Sequence, residues 1–389
     1  MILGVTAGQA QTLDEYFKAA AENNPGLQSK YKEFEAALQK IPQVNSLPDP
    51  TVSFSYFFPK MMSQRASVSL TQMLPWFGTL KAQGNVAALM AEAQYQSFLD
   101  AQNQLYYEVA AAYYPLYELN RLKQIEKKNI DLLDSYKSIA NSKFKNGLAP
   151  MVDVLRVEIM LKDAVTNLSI LGMKEKPLMT TFNKLLNRGN TEEVAIDSVL
   201  TTENLQESFR RDSLMTNNPM LHALDLKIKA SEASEIAAQK EGLPKLGVGL
   251  DYAIIEGGKN IVMPMVSVSI PIFRKKYKAA EKEAQLMQES YQLQKSEASN
   301  LLISNYEMTW FEIQQQKELI ELYDQQTKET NQSLNLLFSA YSNSGKEFEE
   351  VLRMQQQLLK YEKMKATAEV EYHIALAKLN YITAKHIGK

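Results

Sequence analysis

The chain has 389 residues and a formal net charge of −2, from 43 basic and 45 acidic side chains, so no basic excess indicates a nucleic-acid surface. It has no cysteine, which excludes disulfides, thiol catalysis, zinc–thiolate sites and a lipidated N-terminal cysteine. Its three histidines are scattered, and no nucleophile–base pair, phosphate loop or ligand cluster stands out, so we predict no metal, no cofactor and no enzymatic activity.

Residues 1–10 resemble the end of a secretory signal peptide. The stretch 2–7 is apolar and small, and Gly8-Gln9-Ala10 is similar to a small-x-small cleavage site. We therefore expect an exported protein whose mature part begins near residue 11, with an arbitrary start of the sequence as the alternative. No stretch approaches 18 consecutive apolar residues, so no transmembrane helix is predicted.

Two halves of the chain repeat one another. Four segments of the first half return in the same order in the second half, at offsets between 194 and 200 residues. The matched pairs are 21–37 with 215–231, 47–56 with 243–252, 67–78 with 267–276, and 153–163 with 350–360. We predict two structural repeats, residues 11–200 and 201–389, that interleave into one protomer.

Each repeat is predicted to contain a capped helix with Asn-Pro near its start, two strands and two very long helices. The strands are expected at about 50–58, 66–74, 245–254 and 262–271, and the long helices at about 78–146, 150–188, 274–342 and 347–386. Residues 272–344 contain neither Gly nor Pro, and a helix of that size is on the order of 100 Å long, as in a coiled coil or a helical tube. The abundance of Gln, Asn, Ser and Lys in these helices predicts one face on neighbouring helices and another on water.

Apolar and polar residues alternate in all four predicted strands. In the first strand Val52, Phe54 and Tyr56 share one face, and Ser53 and Ser55 share the other. A soluble sandwich would need more strands to cover the apolar face, whereas a transmembrane barrel would place that face against lipid. Four strands cannot close a barrel, so several chains would have to contribute.

The doubled architecture resembles the TolC family of bacterial outer-membrane efflux proteins. The resemblance covers residues 12 to 385, and it is carried by "NNP" in both halves, "LPDPTVSFSY", "VSLTQMLPWFG", "FKNGLAPMVDVL" and "AYSNSGKEFEEVL". It implies a mixed but mainly α fold, in which very long coiled-coil helices form a periplasmic tunnel. Four strands per chain would contribute to a twelve-stranded β-barrel in the outer membrane, formed by a homotrimer.

The same resemblance implies a function and its partners. The chain would be the outer-membrane channel subunit of a tripartite efflux or type I secretion system, a passive exit duct for small molecules or proteins. Its partners would be two further copies of itself, a periplasmic adaptor, an inner-membrane pump of the resistance-nodulation-division or ABC type, and outer-membrane lipid. The alternative is a periplasmic coiled-coil scaffold or adaptor that is not inserted in a membrane.

The resemblance also assigns roles to the two turns between long helices. Both turns are expected to dock the adaptor, although their glycines could simply reverse the chain. The docking candidates are Asn146, Gly147, Leu148, Ala149 and Pro150 in the first turn, and Asn343, Ser344 and Gly345 in the second.

A periplasmic gate is expected at the same turns. A gap-free alignment with the family puts Tyr341 and Lys346 at contact positions, and Glu350 at a position that forms an acidic ring in relatives. It puts Arg353 where a second acid is expected, so a doubled acidic ring is in doubt. We expect Lys346, Glu350 and Arg353, with Asp153 on the partner turn, to hold the aperture closed; a solvated surface is the alternative for each charge.

Three aromatic residues follow predicted strands directly. Trp76 and Phe77 come after the second strand, and Phe273 comes after the fourth. Aromatic side chains at such positions are typical of the interface between a membrane and water, and plain core packing is the alternative. Residues 274–276, Arg-Lys-Lys, would then lie on the periplasmic side.

Overall fold

A computed structural model describes residues 13–61, 64–196, 200, 214–344 and 348–385. The described part of the chain is mainly α-helical and contains four antiparallel strands. This content confirms the predicted mixed, mainly α fold class. In chain order they are α1 (Leu13–Asn23), α2 (Pro25–Leu38), α3 (Lys40–Asn45), β1 (Thr51–Met61), β2 (Gln64–Leu74), α4 (Thr79–Lys145), α5 (Met151–Leu185), α6 (Pro219–Glu241), β3 (Lys245–Ile255), β4 (Ile261–Ser269), α7 (Lys275–Ser344) and α8 (Phe348–Ile382).

The Asn-Pro pair begins a helix in both halves of the chain. Pro25 and Pro219 are the first residues of α2 and α6. A backbone N–H at this position has no partner within the helix, so proline, which lacks it, loses no hydrogen bond there. The side chain of Asn218 accepts hydrogen bonds from the backbone N–H groups of the next turn at 3.0 and 3.3 Å, and Asn24 accepts one in the same way at 3.1 Å. In each half two strands and two long helices then follow, as the internal repeat predicts.

The four strands form one antiparallel sheet in the order β1-β2-β3-β4. The register pairs apolar residues across neighbouring strands, with Phe54 opposite Val68 and Val68 opposite Tyr252. The same alignment places Ser53 opposite Ser69 on the other face. Because side chains opposite each other share a face, the apolar rows of the four strands merge into one continuous surface.

The apolar surface of the sheet is exposed to solvent in the single chain. Its exposed side chains are Val52, Phe54, Tyr56, Phe58, Val68, Leu70, Val248, Leu250, Tyr252, Val262, Val266, Val268 and Ile270. On the opposite face Ser67 and Ala253 are buried. An apolar surface that spans four strands is far larger than the patches that soluble monomers tolerate. In a soluble protein the apolar face of a sheet is buried, whereas in this sheet the apolar face is the exposed one.

The strand boundaries differ from the predicted ones by two or more residues at three ends. β1 continues to Met61 and β2 begins at Gln64, so the predicted loop 59–65 was too long; residues 62 and 63 lie outside the described part of the chain. At this end of the ladder Met61 pairs with Gln64, after an irregularity in the register between Tyr56 and Met61. β4 ends at Ser269 rather than 271, because Pro271 has no N–H to donate to a ladder.

The long helices lie within three residues of their predicted bounds, except at the end of α8, which stops at Ile382 rather than 386. Pro115 lies inside α4 and Pro177 inside α5, and neither ends its helix. None of the helices in the described residues is both long enough and apolar enough to cross a bilayer.

The chain divides into two compact units, and each unit draws on both halves of the sequence. One unit comprises residues 1–28, 101–217 and 302–389, and the other comprises residues 29–100 and 218–301. The first unit contains the turns between long helices, and the second contains the sheet. The predicted boundary near residue 200 is a boundary between repeats in sequence, and it stays a prediction.

In the first unit, side-chain contacts join α4 to both α5 and α8, and α8 to α7. Lys137 pairs with Glu158 at 3.0 Å between α4 and α5, and Lys378 pairs with Glu312 at 3.2 Å between α8 and α7. Between α4 and α8, the fully buried Glu126 forms an ion pair with Lys363. A buried charge is tolerated only when it is paired, so this contact fixes how α4 lies against α8.

Two of the long helices in this unit keep an exposed apolar row. On α5, Val152, Leu155 and Ile159 are 45%, 47% and 60% exposed, at steps of three and four residues. On α7, Met308 and Phe311 are 57% and 58% exposed and lie three residues apart. Apolar residues at this spacing form the contact seam of coiled coils, and in the single chain both seams face solvent.

Candidate functional site

The first turn, between α4 and α5, is a tight reversal over residues 146–150. Gly147 has a φ of +70°, a conformation that other L-residues rarely adopt, and a Cβ added there would meet no atom within 4 Å. The Leu148 N–H donates to the carbonyl of Lys143 at 2.8 Å, which closes the end of α4. Leu148 itself is 70% exposed. The turn therefore presents an exposed apolar side chain, and its role in docking stays a prediction.

The second turn, between α7 and α8, is described only at its flanks. Asn343 is exposed in the last turn of α7, and Ser344 is the last residue of that helix. Gly345 and Lys346, predicted for docking and for the gate, lie outside the described residues. The roles of these four residues stay predictions.

The gate candidate Asp153 is buried beside charges from two helices. Asp153 is only 6% exposed, and its carboxylate lies 3.7 Å from a guanidinium nitrogen of Arg156. The same guanidinium contacts the carboxylate of Glu349 on α8 at 2.9 Å. Burial raises the pKa of Asp153; the charge of Arg156 opposes this rise, and that of Glu349 adds to it. Arg156 thus links an acid on α5 to an acid on α8.

The gate candidate Tyr341 is buried at the end of α7. Its ring stacks on Phe348 with centroids 4.5 Å apart, and the ammonium of Lys143 lies 4.4 Å from its ring centroid. That ammonium also donates to the carbonyl of Tyr341 at 2.7 Å. Burial raises the pKa of the Tyr341 hydroxyl, and the negative charge of Asp153 adds to the rise. Lys143 therefore ties the end of α4 to the end of α7.

Two further gate candidates, Glu350 and Arg353, are not part of this cluster. Glu350 and Arg353 are exposed, and neither forms an ion pair or a hydrogen bond within the described residues. In the repeat alignment they occupy the positions of Asp153 and Arg156, because both segments carry an acid followed by Val-Leu-Arg. Within this chain, Asp153 thus lies with Tyr341, and not with Glu350 and Arg353. Contacts of Glu350 and Arg353 with another copy stay a prediction.

Sequence reasoning missed four residues of the cluster: Lys143, Arg156, Phe348 and Glu349. The repeated acid-Val-Leu-Arg segment could have indicated Arg156, since an acid and an arginine three residues apart share one helix face. No local signal distinguishes Lys143 from Lys145, which is exposed two residues later. Only the packing of the α4–α5 hairpin against the α7–α8 hairpin decides which lysine contacts an aromatic ring.

The predicted interface aromatics are mostly exposed. Phe77 is 80% exposed, Phe273 is 87% exposed and Trp76 is 37% exposed, and the rings of Trp76 and Phe77 lie with centroids 6.1 Å apart. Exposure of this degree argues against core packing for the two phenylalanines. Their place at a membrane interface stays a prediction. In the described residues, no group of three or more His, Cys, Asp or Glu side chains is placed to hold a metal ion.

The sequence matches one protein-family model. Residues 17–171 match the family described as outer membrane efflux protein. No curated protein matches the chain at a significant level.

Solved structures of outer-membrane channels share the fold over nearly the whole chain. The outer-membrane channel OprN matches with a TM-score of 0.81 and 16% identity, covering 96% of this chain and 90% of that one. VceC, an outer membrane protein of Vibrio cholerae, matches with a TM-score of 0.78 and 12% identity, covering 95% of both chains. The MtrE outer membrane channel of Neisseria gonorrhoeae, in its open state, matches with a TM-score of 0.76 and 16% identity, covering 95% of this chain and 88% of that one. These likenesses confirm the predicted fold, and together with the family match they bear out the predicted resemblance.

Proposed function

We propose that this chain, a TolC-like outer-membrane efflux protein by its family match and its fold, is the channel subunit of a tripartite efflux or type I secretion system. In that role it is a passive exit duct, and an inner-membrane pump drives the cargo through a periplasmic adaptor. One observation carries the proposal: the apolar surface that runs across all four strands and faces outward. Such a surface is stable against lipid and unstable against water.

Assembly into a homotrimer is part of the proposal. The outer edges of β1 and β4 have no partner strand among the described residues, and unpaired edges are not tolerated in lipid. Three copies would contribute twelve strands and close the ring, with β1 of one copy beside β4 of the next. The exposed apolar rows of α5 and α7 support the same arrangement, because a seam on each helix requires a partner helix.

The two turns are proposed as the adaptor-docking end and the gate. The exposed Leu148 and the reversal at Gly147 support docking at the first turn. The contacts of Arg156 with the buried Asp153 and with the exposed Glu349 support a closed arrangement that is held by polar links between helices. Glu350 and Arg353 are left to pair across copies of the chain.

A pair of neighbouring substitutions on β1 tests membrane insertion. Phe54 belongs to the apolar surface and is 67% exposed, and Ser53 belongs to the opposite face. An arginine on the lipid face costs about 2–4 kcal/mol near the midplane. We therefore expect Phe54→Arg to lose the detergent-extracted trimer and Ser53→Arg to keep it. Fractionation and size-exclusion chromatography of the full chain measure both.

Two outcomes would contradict the proposal. Equal behaviour of Phe54→Arg and Ser53→Arg would contradict a barrel with lipid on the Phe54 side. Recovery of the wild-type protein in the soluble periplasmic extract without detergent would favour the scaffold or adaptor alternative.

A further inference from the structure

A cleft of about 620 Å³ lies in the second unit, beside the junction of the strands and helices. We call it the lysine cleft. It is formed by the end of α3, the start of α4 and the end of α6, and its lining is Asn45, Gly78, Lys81, Ala82, Gly84, Asn85, Ala88 and Lys240.

Two glycines keep the lysine cleft open. Gly78 has a φ of +78°, and a Cβ there would come within 3.3 Å of the Lys240 ammonium nitrogen. A Cβ on Gly84 would overlap the side-chain amide of Asn45. Any larger residue at these positions would therefore fill space that now surrounds Lys240 and Asn45.

The lysine cleft is positively charged and its polar groups are unengaged. No carboxylate lines it. Neither Lys81 nor Lys240 forms an ion pair with any described residue, and the side-chain amides of Asn45 and Asn85 form no hydrogen bond there. The nearest acid in sequence, Glu241, instead accepts a hydrogen bond from Gln83. Two ammonium groups and two side-chain amides that can still donate hydrogen bonds suit an anion that bears several acceptor oxygens.

The lysine cleft lies on the face of α4 opposite to that of a second cavity. A second cavity, of about 650 Å³, is lined by α2, α3, α4, α6 and α7 together. Its contacts on α4 are Gln83, Val86 and Ala87, whereas the lysine cleft uses Lys81 and Asn85. At 100° per residue these two sets lie on opposite faces of α4.

The position along the chain matches a membrane boundary. Gly78 directly follows the exposed Phe77, and the exposed Phe273 is directly followed by the basic residues 274–276. No acid occurs between residue 72 and Glu92, nor between 257 and Glu281. Apolar strands, then aromatics, then cations follow one another in the order of acyl chains, interface and phosphate groups.

We propose that the lysine cleft binds the phosphate of an anionic phospholipid in the periplasmic leaflet, through Lys81 and Lys240, with the amides of Asn45 and Asn85 as further donors. The inference rests on the proposed membrane function, because only an inserted protein meets this leaflet. The bound lipid would anchor the start of α4 and the end of α6 at a fixed depth.

Lipid titration of the detergent-purified full-length protein, read by native mass spectrometry, tests the proposal. The probes are phosphatidylglycerol, phosphatidylethanolamine and inorganic phosphate. A cation close to an anionic headgroup contributes roughly fivefold in affinity, so Lys81→Gln/Lys240→Gln is expected to weaken phosphatidylglycerol binding about 25-fold. Lys81→Arg/Lys240→Arg should retain binding.

A control variant removes the same charge elsewhere. Lys32 and Lys328 are 75% and 71% exposed and lie outside the lysine cleft, so Lys32→Gln/Lys328→Gln should bind phosphatidylglycerol like the wild type. Circular dichroism and the trimer peak in size-exclusion chromatography verify that every variant is folded.

Three results would overturn the proposal. They are unchanged phosphatidylglycerol binding by the cleft variant, equal binding of phosphatidylethanolamine by the wild type, and displacement of the lipid by millimolar inorganic phosphate, which would make the cleft a site for free phosphate. Failure of the proposed function is recognised separately, since the wild-type protein would then be recovered without detergent.

Discussion

Lys143 is expected to control the closed state of the channel, because it links two hairpins. Its ammonium donates to the carbonyl of Tyr341 at 2.7 Å and lies 4.4 Å from the centroid of the Tyr341 ring. A hydrogen bond from a charged group contributes about 1.5–3 kcal/mol, and a cation–π contact at a partly exposed site about 0.5–1 kcal/mol. The site is only partly buried, so the lower ends of both ranges apply, and they sum to about 2 kcal/mol. Lys143→Met keeps the aliphatic stem and should shift the closed–open equilibrium about 30-fold toward the open state.

Single-channel conductance in planar bilayers measures this shift. Lys145→Met is the matched control, since Lys145 lies two residues away, is exposed and has no ion pair among the described residues. We expect a larger mean conductance for Lys143→Met and a wild-type value for Lys145→Met. Equal conductance of the two variants would refute the argument that the contact between Lys143 and Tyr341 holds the aperture of the channel closed.

Three further predictions concern the turn, the interface and the helix layer. Gly147→Ala should make the first turn more susceptible to limited proteolysis, because the positive φ at this position destabilises an alanine by about 1–2 kcal/mol. Gly172→Ala in α5 is the control and should not change proteolysis, since Gly172 has an ordinary φ and an added Cβ would contact no atom. With Trp310 replaced by Phe, brominated lipids should quench the fluorescence of Trp76, and with Trp76 replaced instead they should leave Trp310 unquenched; equal quenching would contradict an interfacial Trp76. Hydrogen bonds from Lys328 and Lys365 lower the pKa of Asp324 to about 2, so it stabilises the fold above its ordinary pKa of 3.8, and this contribution is lost as the pH falls toward 2. Because Asp324 is about one-third exposed, Asp324→Asn should remove only about 1 kcal/mol of this acid dependence from the free energy of unfolding in urea, and an unchanged acid transition would contradict the assignment.

The sequence predicted the sheet well because its signal is local. Alternation has a period of two residues, so the faces of Phe54 and Val68 follow from each strand by itself, and the register then pairs them. The Asn-Pro starts of α2 and α6 were also predictable, because the cap uses only atoms within one turn of Asn24 and Asn218.

The contacts around the two turns were less predictable, because they depend on how the α4–α5 hairpin packs against the α7–α8 hairpin. Asp153 and Glu350 occupy equivalent places in the same short motif, yet Asp153 is buried and Glu350 is exposed. Nothing within one helix distinguishes them, since burial is decided by which neighbour covers each face. The same limit explains why Lys143 was missed.

One expectation from composition was wrong at particular positions. Polar residues of the long helices were expected on a wet face, but Asn129 and Gln355 are buried at 6% and 4% exposure. They face each other, with the amide of Gln355 donating to Asn129 at 3.2 Å, and Glu126 is likewise buried against Lys363. A buried polar group is tolerated when it has a polar partner, and the pattern of a single helix does not reveal the partner.

The two open edges of the sheet have a consequence for biogenesis. Before assembly, β1 and β4 would each offer an unpaired row of backbone donors and acceptors beside an apolar surface, and such edges pair indiscriminately with other extended chains. In the proposed assembly, a single copy released into the periplasm would therefore be a short-lived species that aggregates unless it is captured. Strand pairing between copies and entry into lipid would then occur as one coupled step, and the concentration of unassembled chains would limit the yield of channels.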